Sequence, residues 1–129
     1  MVGDSGKSLP RGFRKIQDVK TVLRTLPAVV YAALIFYLSS IPGRDVPHVG
    51  INDKVLHFIL YAVFGILLML ACPRFWIAVG VGLLYAVSDE WHQSFVPGRA
   101  VEVLDVCADV AGVAAASWFF KWLRGFSHD

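Results

Sequence analysis

Apolar and polar positions in this chain neither alternate strictly nor recur on a single helix face; they separate into blocks. Residues 22–38, 55–72, 75–96 and 101–123 are predominantly apolar, and short segments rich in Pro, Gly and charge lie between them. Each block is close to the roughly 20 residues that carry a helix across a hydrocarbon layer about 30 Å thick. Strands at these positions would leave backbone groups unpaired in lipid, whereas helices satisfy their own. The pattern therefore predicts an all-α protein, an integral membrane four-helix bundle. Pro42, Pro47, Pro73 and Pro97 fall in connections and Pro27 falls near the start of the first block, so no helix is expected to break at its centre. The first block reads as a spanning helix rather than a signal peptide, because a long basic stretch precedes it and "YLSSIPG" offers no small-residue cleavage site.

Composition agrees with the pattern. Of 129 residues, 57% are hydrophobic and 17% charged, with a mean hydropathy of +0.60, more apolar than a soluble domain of this length. The net charge of +2 conceals an asymmetry. Lys7, Arg11, Arg14, Lys15, Lys20 and Arg24 precede the first block, Arg74 lies between the second and third, and Lys121 and Arg124 close the fourth, against Arg44, Lys54 and Arg99 on the other side. The excess of positive charge on one side predicts both termini in the cytoplasm, an N-in/C-in arrangement. Residues 1–21 are then a basic cytoplasmic segment lying along anionic lipid, and residues 22–124 the four-helix domain. Only Asp4, Asp18 and Asp129 share the basic side; seven acids, Asp45, Asp53, Asp89, Glu90, Glu102, Asp105 and Asp109, lie opposite. A nucleic-acid partner is excluded, since no basic groove accompanies the basic segment. Cys72 and Cys107 belong to opposite ends and are expected to stay unpaired.

The polar residues share a depth. At 1.5 Å per residue, Asp109 stands about 16 Å above the cytoplasmic end of its helix and Asp89 and Glu90 about 21 Å above theirs. His57, near the start of an oppositely directed helix, reaches the same zone. Asp53, His57 and Tyr61 follow i, i+4, i+8 spacing, and Glu102, Asp105 and Asp109 follow i, i+3, i+7, so each set lines one helix face. Gly65 and Gly112 continue those stripes and allow close helix approach. Glu90 and Gln93 form an i, i+3 pair. Ionisable groups at such depth cost about 2.5 to 3.5 kcal/mol each, so they need partners or a purpose. One reading is a purely structural network that locks the helices; the crowding of acids into one half argues for a pocket in the outer leaflet instead.

Several stretches carry a resemblance. "SS" and Pro42 after the first block, "DKVLHFILYAVFGILL", "SDEWHQSFVPGR" and "DVCADVAG" are together similar to the VanZ-like family of small bacterial membrane proteins, over residues 39–112. The matching positions are Asp53, Lys54, His57, Glu90, Gln93, Pro97, Gly98, Arg99, Asp105 and Gly112. The family pattern has Asn where this chain has Asp109, so this pocket carries an extra acid. The resemblance implies a link to glycopeptide (teicoplanin) resistance.

The candidate catalytic groups are His57, Glu90, Asp105 and Asp109, suited to proton transfer. Asp53, Lys54, Tyr61, Gln93 and Arg99 are candidate substrate-binding residues, with Arg99 expected either to clamp a phosphate, helped by Lys54, or to snorkel to the interface or pair with Glu102. His57, Glu90 and Asp105 also make a ligand set for a divalent metal, the one cofactor the sequence suggests. No nucleophile elbow, phosphate-binding loop or dinucleotide fingerprint occurs. Two function classes follow: an enzyme, a hydrolase or transferase acting on the head group of an envelope lipid or lipid-linked cell-wall precursor, or a module that binds such a lipid, a membrane partner protein or a second copy without chemistry. Transport is disfavoured because the cytoplasmic half offers no polar path.

Overall fold

The computed structural model describes residues 10–126, and every regular element among them is helical. Helix α1 is Arg11–Ser39, α2 Asp53–Ala71, α3 Phe75–Gln93 and α4 Val103–Phe126, with a single 3-10 turn, Gly43–Asp45, between α1 and α2. Lys7, Asp4 and Asp129, which entered the charge comparison, lie outside the described residues.

Local chemistry sets the boundaries. Asn52 caps α2 by accepting a hydrogen bond from the Lys54 backbone N–H at 2.9 Å, and Asp53 follows in the first turn, where the helix dipole favours an acid. Pro73 prevents α2 from continuing, so α2 and α3 are joined by three residues and run antiparallel. After α3, the amide of Arg99 bonds the Val96 carbonyl at 3.2 Å across Pro97 and Gly98. Gly98 has φ +74°, the left-handed conformation that a type II turn requires at its third residue.

Packing centres on α2 and α4, the most extensive interface, with α3 against α4 and α1 mainly against α2. The glycine stripes act as expected. A Cβ on Gly112 would stand 3.0 Å from the Ala62 amide nitrogen, and one on Gly65 would stand 2.8 Å from the Val113 carbonyl oxygen. Gly82 of α3 makes room for the fully buried Val113 side chain in the same way. Ile35, Tyr61, Phe64, Ala86 and Val113 form the core. The backbone of helix α1 does not approach that of α4, and α1 is fastened by polar handles: the Tyr31 hydroxyl donates to the Leu60 carbonyl at 3.0 Å, and the Tyr85 hydroxyl donates to that of Ala32.

Most large apolar side chains face outward; Trp76, Leu84 and Val103 are 80%, 73% and 79% exposed. Helices α1, α2 and α4 are long and apolar enough to cross a membrane. Four such helices were expected. Helix α3 matches α2 in length, but its last turns carry Asp89, Glu90, His92 and Gln93, and it falls outside that group. Helix α1 also corrects the sequence reading: it begins at Arg11 instead of Val22, because the basic residues that precede the apolar block are themselves good helix formers. Pro27 therefore lies well inside a 29-residue helix, and the carbonyl of Leu23 loses its usual amide partner.

Candidate functional site

Each helix sends one end to the same place. The C-terminal ends of α1 and α3 and the N-terminal ends of α2 and α4 meet there, beneath the α1–α2 and α3–α4 connections. Three helices were expected to converge; α1 is the fourth.

At the centre, His57 Nδ1 lies 2.9 Å from Asp109 Oδ1, with Asp109 1% and His57 9% exposed. With a neutral imidazole, Nδ1–H donates to Asp109 and the Nε2 lone pair points away from it. Nε2 makes no hydrogen bond among the described residues and stands 4.0 Å from Asp53 Oδ2, one helical turn earlier. Lys54 Nζ donates to Glu102 Oε2 at 2.5 Å and to the buried Asp105 Oδ1. Asp53, His57 and Asp105 each bring a ligand atom within 4.8 Å of the others. This donor group differs from the one expected, since Asp53 stands in the place given to Glu90. Glu90 Oε1 is committed to the backbone N–H of Glu102 at 2.7 Å, a bond that ties α3 to the start of α4. Its Oε2 is buried without a partner among the described residues, an arrangement that costs free energy and is uncommon in folded proteins.

Asp89 forms a second centre. Its Oδ1 accepts from the Ser39 hydroxyl at 2.6 Å, and its Oδ2 faces the Tyr61 hydroxyl and the Gln93 amide, both at 3.4 Å. Gln93 thus turns to Asp89 and not to Glu90. Nearby, His92 Nε2 meets the Ser40 hydroxyl at 2.9 Å and its ring stacks on Phe36. Ser39, Ser40 and His92 were missed as site residues; the "SS" preceding Pro42 was their only signal, and it came from family resemblance.

Arg99 pairs with backbone carbonyls and not with Glu102. Its Nε donates to the Ile41 carbonyl at 3.0 Å and its Nη2 to that of Leu38 at 2.8 Å, so the guanidinium closes the C-terminal end of α1, where carbonyls lack helical partners. The Gly43 amide donates to the Pro97 carbonyl at 3.0 Å, and a Cβ on Gly43 would collide with the Gly98 backbone. The two connections are in direct backbone contact.

Two adjoining cavities open on this assembly. One, of about 430 Å³, is bounded by Asp53, His57, Gln93, Arg99, Glu102 and Asp105 beneath the α1–α2 connection. The other, of about 260 Å³, runs between α1 and α2 and is walled mainly by apolar side chains such as Ile35, Leu38, Leu56 and Leu60. Asp53, His57, Gln93 and Arg99 belong to both. A polar chamber thus continues into an apolar slot. Trp91 and Phe95 pack edge to face at 5.8 Å on the far side of α3, away from this pair of cavities. Cys72 and Cys107 are unpaired, as expected.

No curated protein and no solved structure shows a significant match to this chain. The family model described as VanZ/LLP1 matches residues 13–124, a stretch that takes in α2, α3 and most of α1 and α4 together with both connections over the site. The apolar helices and this match identify a membrane protein, and the chain belongs to the VanZ/LLP1 family.

Proposed function

We propose that this protein is a multi-pass protein of the bacterial inner membrane, with all four helices crossing, both termini cytoplasmic, and the polar chamber open to the outer leaflet. There it takes the head group of an envelope lipid or lipid-linked cell-wall precursor. The observation that carries this reading is the continuity of the two cavities: a head group fits the chamber while its chain lies in the slot between α1 and α2. Membership of the VanZ/LLP1 family supports a connection to glycopeptide resistance.

Within the chamber, His57 is the group suited to chemistry. Asp109 orients the ring, so that the Nε2 lone pair is presented to the chamber where the head group lies. Asp105, held by Lys54, borders the same space, and Glu90, bonded to the amide of the chamber residue Glu102, keeps a second carboxyl oxygen buried. Arg99 acts by holding the end of α1 over the slot.

The test is photocrosslinking of the purified chain, reconstituted in lipid discs, to an envelope lipid bearing a diazirine in its acyl chain. Crosslinks are expected at Leu38, Leu56 or Leu60. Crosslinks confined to the outward surfaces of α3 and α4 overturn the reading. If His57→Ala abolishes the resistance phenotype while crosslinking persists, the pocket performs a reaction; if phenotype survives with binding intact, it is a binding module.

A further inference from the structure

We infer that the polar chamber holds a divalent cation, ligated by His57 Nε2 and the carboxylates of Asp53 and Asp105, with Asp109 as the carboxylate that orients the histidine. The inference concerns the same pocket as the proposed function and is tested without any lipid, so the two can fail separately.

Three observations converge on it. The first is the donor set: one imidazole nitrogen and two carboxylate oxygens lie within 4.8 Å of one another, spacing that an ion with bonds of about 2.0–2.2 Å closes with small side-chain movements. The second points to a ligand. His57 is nine-tenths buried, its Nδ1 is taken by Asp109, and Nε2 has no hydrogen bond among the described residues while facing this carboxylate pair. A carboxylate behind the distal nitrogen is the usual support of a metal-bound histidine, fixing the tautomer and raising the basicity of the ligating nitrogen.

The third is charge. Asp53, Glu102 and Asp105 line the chamber, with the buried carboxylates of Asp109 and Glu90 close behind them, while Arg99 at its edge directs Nε and Nη2 to the carbonyls of Ile41 and Leu38. Among the described residues Lys54 is the lysine or arginine that pairs with these carboxylates. Its hydrogen bond to Asp105 goes to Oδ1. The presence of the ammonium also marks this as a place that accepts positive charge. An anionic head group entering such a chamber meets net repulsion, which a divalent ion reverses.

The experiment is titration of the full chain, purified in detergent, with Mn²⁺, free ion being read by electron paramagnetic resonance. One ion per chain is expected. Asp53→Asn and His57→Gln should each weaken binding by about tenfold or more, in the range that loss of a supporting or ligating group produces. Asp45→Asn, in an exposed residue outside the group, should leave it unchanged. Asp53 is exposed, so Asn in its place keeps the fold, which helical circular dichroism verifies. Lys54→Met should tighten binding by removing the competing ammonium. Absence of stoichiometric binding in the unaltered chain, or equal affinity in Asp53→Asn, overturns the inference.

Discussion

His57 and Asp109 illustrate how much depends on one buried contact. Replacing Asp109 with Ala leaves the Nδ1–H of a nine-tenths-buried ring without an acceptor, at a cost of about 1–3 kcal/mol. Asp109→Asn retains a carbonyl acceptor at the same place and should cost distinctly less. Thermal unfolding in detergent, comparing the two variants, checks the order. Glu90 should behave in the opposite way. Its Oε1 holds an amide but its Oε2 is unpaired, so Glu90→Gln removes an uncompensated charge and should leave the melting temperature unchanged or raised. If the pocket acts as proposed, the same variant loses the resistance phenotype; a variant that loses both stability and phenotype would make Glu90 structural. The carboxylates and His57 were legible because helical spacing puts them on marked faces. Arg99 was not, because its partners are backbone carbonyls, which every residue carries and no side-chain pattern reveals.

Among the elements, α1 is held most lightly, and its attachment is chemical more than steric. Only Ala28, Ile35 and Ser39 of it are buried. Arg99 closes its C-terminal end with two charge-assisted bonds. Arg99→Lys cannot reproduce that planar fork, and hydrogen exchange should accelerate over residues 38–46 while α2 and α4 stay protected. Helix α4 depends on glycine instead. Gly112→Leu places a side chain where the Phe58 carbonyl and the Ala62 amide lie, so it should separate α2 from α4 and lower stability by about 1–3 kcal/mol or more, measured by thermal unfolding. The glycine stripes were readable in advance because small residues repeat in register with the polar ones. The true start of α1 was not, since basic residues before an apolar block look the same whether they are helical or extended.

For the whole molecule, the decisive question is which end faces which side. In a background of Cys72→Ala and Cys107→Ala, Val49→Cys in the α1–α2 connection should react with a membrane-impermeant maleimide in intact cells, and Arg74→Cys in the α2–α3 turn only after permeabilisation. The reverse pattern would invert the topology and place the chamber in the cytoplasm. Helix α1, at 1.5 Å per residue, is about 43 Å long against about 28 Å for α2, so its basic turns stand clear of the bundle at the end opposite the site. Sequence revealed the four apolar segments and their common polar end; α3, with polar residues concentrated in its last turns, is the described helix of that set that falls outside those long and apolar enough to span. The contact of Gly43 with Pro97 and Gly98 bears on all of this. Because the two connections touch through their backbones, lifting either one breaks that contact, which couples the roof over the chamber on both sides. The slot beside α1 lies outside that coupling, bounded by apolar side chains of α1 and α2.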